Sequence, residues 1–180
     1  MALRTVNMNV NVMYQDWQME CCGEPFGVGD EVAWPLRVDT SGWGAEWAAE
    51  LTVLEGAVES LGGGPVVRVD GVTVPVPLPV GGRKKWPPRA RLEGLLSVER
   101  HGGKWPDTVG RVRGIQVVTH TFADATRVPG ERALRRVDRC PKWFKPQPPD
   151  ARGRRREEVG ALVSLEVTAP GVAAEPGGGA

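Results

Sequence analysis

Val66-Val67-Arg68-Val69-Asp70-Gly71-Val72-Thr73-Val74 sets two β-branched runs on either side of an Asp-Gly pair. A two-residue connection that follows the twist of its strands needs positive φ at both central positions, and Asp-Gly tolerates it. The stretch predicts a tight β-hairpin. Pro75, Pro77 and Pro79 follow at alternate positions and remove donors that a central strand needs. Residues 75–90 are therefore expected to run as an extended, partly polyproline-like loop, with 62–90 a Gly/Pro-rich insertion in the fold.

Further along, Gly110 to Phe122 is the longest strand candidate, with Val112, Ile115, Val117 and Val118 in a β-branched run. Arg91 to Arg100, Ala133 to Val137 and Ala161 to Thr168 read as shorter strands. Before the hairpin, Val6, Met8, Val10, Val12 and Tyr14 alternate with Asn7, Asn9, Asn11 and Met13, the period of a strand with one polar face. Gly29-Asp30 turns the chain into a second strand carrying Val32 and Trp34. Thr40 or Ser41 is placed to cap a helix over about 42–60, where Trp43, Trp47, Leu51, Leu54, Val58 and Leu61 follow 3,4 spacing. Strands in succession, without strand–helix alternation, predict a mainly β protein. The expected architecture is a small antiparallel β-barrel-like domain over 1–168 with one packed helix, followed by a disordered tail over 169–180.

Composition excludes several classes. The 180 residues hold 23 Lys+Arg and 22 Asp+Glu, a formal net charge of +1, so the chain is neither a uniformly basic nucleic-acid coat nor an acidic tail protein. Its 24 glycines and 16 prolines predict many turns. No apolar run approaches the ~18 residues of a transmembrane helix, and no signal-peptide core is recognised. Three cysteines, an odd and low number, agree with a cytoplasmic protein.

Asp16 to Trp34 contains Cys21-Cys22-Gly23-Glu24-Pro25-Phe26-Gly27-Val28-Gly29-Asp30-Glu31-Val32-Ala33-Trp34. This C-C-G-x-P-F-x-x-G-D-x-V-x-W block resembles a family of uncharacterised actinobacterial proteins. His101-Gly102-Gly103 and Gly110 to Ile115 look like its second block. The resemblance covers about 8–60 and 91–168 and implies no activity.

Two constellations carry chemistry. Cys22, His101, His120 and Cys140 supply soft ligands sufficient in number for one zinc. Adjacent cysteines do not readily share an ion, and no C-x₂-C or H-x₃-H pair is present, so Cys21 and Cys22 are expected to be reduced, metal-free and packed as small hydrophobes. No cofactor is expected. No Walker A loop, G-x-S-x-G or H-E-x-x-H occurs, which argues against catalysis.

The second is charge asymmetry. Residues 132–156 hold ten basic and two acidic side chains, while 1–60 hold two basic and ten acidic. Arg135, Arg136, Arg139, Lys142, Trp143 and Lys145 place cations beside an aromatic ring, as single-stranded nucleic-acid binding requires. Of seven tryptophans, Trp17, Trp34, Trp43 and Trp47 read as core, and Trp86, Trp105 and Trp143 as partly exposed. The expected function is a non-catalytic binding or protein-interaction module with a protein partner and no membrane. The alternative is a nucleic-acid-binding barrel that uses 132–156.

Overall fold

The computed structural model describes residues 7–41, 43–61, 63–77 and 85–168. The tail over 169–180 and the middle of the proline-rich loop lie outside the described residues. The elements are β1 Met8–Gln15, α1 Asp16–Cys22, β2 Glu31–Trp34, β3 Leu36–Asp39, a 3₁₀ turn Ala45–Glu50, β4 Thr52–Leu61, β5 Gly64–Val69, β6 Val72–Pro75, β7 Arg89–Val98, β8 Thr108–Ala123, β9 Thr126–Val137, β10 Pro146–Gln147 and β11 Arg155–Val167. The protein is mainly β, as its pattern predicts. The strands form one curled half-barrel sheet in the order β2-β8-β11-β1-β7-β4-β5-β6, with β9 on β8, β3 on β7 and β10 on β11.

Pairing is antiparallel except where β1 runs parallel to β7, at Val12↔Leu96 and Met13↔Ser97. The curl brings distant strands together. The buried Thr73 N–H on β6 donates to Thr108 Oγ1 at the start of β8, 3.1 Å away. The Asp-Gly hairpin is present as read: β5 and β6 join through Asp70 (φ 48°) and Gly71 (φ 88°), with Val69 paired to Val72. Val67, Val72 and Val74 of this hairpin are fully buried in the main core. Gly160 serves a different end. It lies at a bulge in β11, and a Cβ there would stand 2.3 Å from the Tyr14 carbonyl oxygen.

The helix expected over 42–60 is not there. Residues Ala45–Glu50 form a 3₁₀ turn and Thr52–Leu61 form β4. The 3,4 spacing coincides with a period of two over its second half. Thr52 and Leu54 are buried and Val58 half-buried, while Val53, Glu55 and Glu59 face solvent. β-branched Thr52, Val53 and Val58 favour the pleated conformation. Gly56 weakens a helix and here lets the Val67 and Val69 side chains approach. The apparent stripe splits across the sheet. Leu54 joins the main core with Val12, Tyr14, Leu96, Val98, Ile115 and Leu165. Trp47 joins a second cluster on Met13, Leu95, Val118 and Leu162, flanked by Trp43 and Leu51.

The 3₁₀ turn thus covers the outer face of the sheet at its middle strands, while Asn9 and Glu166 leave the same sheet polar further along. No helix among the described residues is long and apolar enough to cross a membrane. Trp47 is fully buried, so Trp47→Ala should cost about 3–5 kcal/mol of unfolding free energy, read by denaturant titration.

Candidate thiol–imidazole site

The site begins where β1 passes into α1. Gln18 is fully buried, and its side chain is the joint. Gln18 Nε2 donates to the Val98 carbonyl at 2.7 Å, and the Arg100 N–H donates to Gln18 Oε1 at 2.8 Å. One amide therefore ties α1 to the chain that leaves β7. Arg100 Nε in turn donates to the Tyr14 hydroxyl at 2.8 Å, and the Glu99 N–H donates to the Pro35 carbonyl. At the far end of α1, Lys142 Nζ donates to the Met19 and Gly23 carbonyls at 2.7 and 2.9 Å, a basic cap where the helix dipole is negative.

This frame delivers His101 to the exposed side of α1. The His101 N–H donates to Glu99 Oε1 at 2.9 Å, and the imidazole stacks on Trp17 with centroids 5.2 Å apart. Trp17 is held from behind by its indole N–H, which donates to Gln15 Oε1 at 2.8 Å. Nε2 of His101 then lies 3.4 Å from Cys21 Sγ and 3.3 Å from Cys22 Sγ. The two cysteines are joined to each other in a vicinal disulfide, and both are exposed. The expectation of reduced, buried cysteines is corrected on both counts. They occupy the solvent face of a short helix whose inward face is filled by Gln18 and Met19.

Of the four soft ligands the sequence offered, the structure brings Cys22 and His101 together and adds Cys21. Cys140 is in the main core, and burial pushes its thiol up to about 12. His120 lies on β8 against the second cluster, with its ring 5.9 Å from that of Trp47. Sequence reading missed Gln18 altogether and took Trp17 for core. The i, i+4 pair Trp17 and Cys21 is the local signal of their shared helix face.

In the basic segment, Arg135 and the Lys145 backbone meet at one carboxylate, Glu158, and Arg139 and Lys142 find other partners. Arg135 bonds Glu158 at 2.8 Å, and Arg136, its neighbour on β9, lines a shallow depression with Arg113, Asp138 and Ser164. Arg139 Nη2 donates to the Pro25 carbonyl at 3.2 Å, and Lys142 caps α1. Lys145 is exposed, and Trp143, at 63% exposure, sits beside Lys142.

Residues 8–167 match a family of unknown function. The chain belongs to DUF6578. No curated protein and no solved structure matches the chain.

Two measurements probe this framework. Gln18→Ala leaves the Val98 carbonyl and the Arg100 N–H without their partner, at about 1–3 kcal/mol per orphaned group. Hydrogen exchange should then speed up at Arg100 and His101 while the centre of β8 stays protected. His120 is pushed down from 6.5 to about 4 by burial, helped by Arg127 and Arg132 and opposed by Glu46. Folding keeps it neutral, so its contribution is whole above pH 6.5 and is lost as pH falls towards 4. The loss totals about 3 kcal/mol. Urea midpoints should fall over that window, and His120→Gln should flatten that part of the fall.

Proposed function

We propose that this DUF6578 protein is a non-catalytic binding module for a protein partner, acting in the cytoplasm, and that it presents the surface around α1. The observation that carries the reading is the exposure of two tryptophans, Trp17 at 48% and Trp143 at 63%. Among the described residues, the other large hydrophobics with comparable exposure are valines, Val28, Val53 and Val109. The Trp17 indole sits on a built support. Trp17 is stacked on His101 and bonded to Gln15, and Trp143 follows the lysine that caps α1. Rings held in one geometry lose little entropy on docking, and tryptophan is the residue most enriched among binding hot spots.

Single-stranded nucleic acid on 132–156 has less support. A ring beside a cation suits base stacking. Yet the Lys142 ammonium is held by two carbonyls and Arg135 by Glu158, so neither is free for a phosphate.

The test uses the full chain as bait in extract of its own cells, with crosslinking. Trp17→Ala/Trp143→Ala should lose the proteins recovered by the wild type, since a hot-spot ring is worth about 2 kcal/mol, or ~30-fold in affinity. Val53→Ser should keep them. Recovery unchanged by the double variant, or retention of single-stranded DNA with a steep salt slope, rejects the reading.

A further inference from the structure

We propose that Cys21, Cys22 and His101 form a redox-gated site for a soft d¹⁰ metal cation, with Cu(I) the ion it fits best. The proposal stands apart from the protein-partner reading. The two sulfurs and an imidazole nitrogen all lie within 4.8 Å of one another. A sulfur about 2.3 Å and a nitrogen about 2.0 Å from one ion stand ~3.7 Å apart at a trigonal angle. The separations of Nε2 from the two sulfurs in the closed disulfide, 3.4 and 3.3 Å, are close to that. The imidazole therefore stands within reach of both sulfurs before the disulfide opens.

The donor set selects the ion. Two thiolates and an imidazole suit soft and borderline metals and are poor ligands for Ca²⁺ or Mg²⁺. Three donors complete a trigonal Cu(I) site, whereas Zn²⁺ takes a fourth ligand. The cysteines end α1, and a cation is favoured at that end of a helix.

Adjacent cysteines can share an ion only if their sulfurs part from bonding distance. Both side chains are exposed, and the group recorded against both sulfurs is the His101 imidazole itself. The third donor stays fixed meanwhile by Glu99, Trp17 and the Gln18 bridge to Arg100.

The gate is the disulfide itself. In the oxidised protein both sulfurs are bonded to each other and cannot act as thiolates. A dithiol reductant transfers two electrons and two protons to the disulfide, giving two thiols, and leaves as its own disulfide. The incoming Cu(I) then displaces the two thiol protons to solvent. A disulfide oxidant takes the two electrons of the thiolate pair by thiol–disulfide exchange, picks up two protons and leaves as its own dithiol; the Cys21–Cys22 bond re-forms, the site closes and the ion is released.

The experiment reduces the full chain with a phosphine, which takes up the oxygen of a water molecule while that water supplies the two thiol protons. The desalted protein then competes anaerobically for Cu(I) against a coloured Cu(I) chelator. The reduced chain should withdraw one equivalent, and the disulfide form none. Cys22→Ser should abolish the uptake. His101→Ala should weaken it by more than the ~10–100-fold typical of losing an outer-shell partner. All three side chains are exposed, so these variants keep the fold, which circular dichroism verifies. The proposal fails if the reduced chain withdraws no Cu(I), or if the disulfide form or Cys22→Ser withdraws as much. Unchanged affinity in His101→Ala removes the imidazole from the site. One equivalent of Zn²⁺ taken up with no Cu(I) overturns the choice of ion.

Discussion

The Gln18 side chain is the interaction on which the candidate site depends. A primary amide has two donors and two acceptor positions. Gln18 uses one of each to span two separate pieces of chain, and it does so with no solvent contact. Water cannot replace either bond there, so geometry and stability are coupled. Release of the amide leaves α1 without its tie to the end of β7, and His101 with it. The position of every other side chain at the site follows. Trp17 and Cys21 take the opposite face of α1 because Gln18 and Met19 take the inner one, and His101 meets them because Arg100 is held one residue earlier.

The sheet solves a second problem, that of a curled surface with two apolar sides. The concave side carries the main core, closed in part by the bond from Thr73 to Thr108. The convex side carries a smaller apolar cluster around Met13, Leu95, Val118 and Leu162, and the 3₁₀ turn with Trp47 covers that patch. Arg132 lies over the Trp47 ring at 4.4 Å and is paired with Glu50 at 3.2 Å. A cation and an anion therefore close the rim of this small second core. His120 beneath them has no room to keep a proton: burial and the nearby Arg127 and Arg132 act in the same direction, against Glu46 alone.

What could be read from the sequence was what is determined locally. Asp70-Gly71 dictates its turn by backbone sterics, whatever surrounds it. The β-branched run of β8 and the alternation of Val163, Leu165 and Val167 with Ser164 and Glu166 in β11 favour strands by their own residues. The segment after Thr40 failed because its spacing satisfies two periods at once, and only pairing with Leu92 on β7 and Val67 on β5 decides between them. The charge surplus over 132–156 is smaller in the fold than along the chain for a related reason. Glu131 and Glu158 lie just outside that window, and they hold Arg154 and Arg135. A count along the chain sees the cations and omits the partners that folding supplies. The thiol–imidazole cluster lay further out of reach, since Cys21 and His101 are 80 residues apart and meet only through the Gln18 bridge.

The fold keeps its two kinds of cysteine apart, and the separation has a physical consequence. Cys140 is in the main core, where burial holds it as a neutral thiol, and a thiol in that state is a weak nucleophile and a poor ligand. Cys21 and Cys22 lie at the solvent face, where neither sulfur contributes to the core. Any chemistry that makes or breaks their bond therefore acts on the end of a short helix whose inward residues, Gln18 and Met19, remain packed. The sulfurs can change state without the sheet having to respond. His101 is anchored to the sheet side of this boundary through Arg100, while its Nε2 faces the solvent side. One imidazole thus connects a fixed scaffold to a pair of atoms that are free to move.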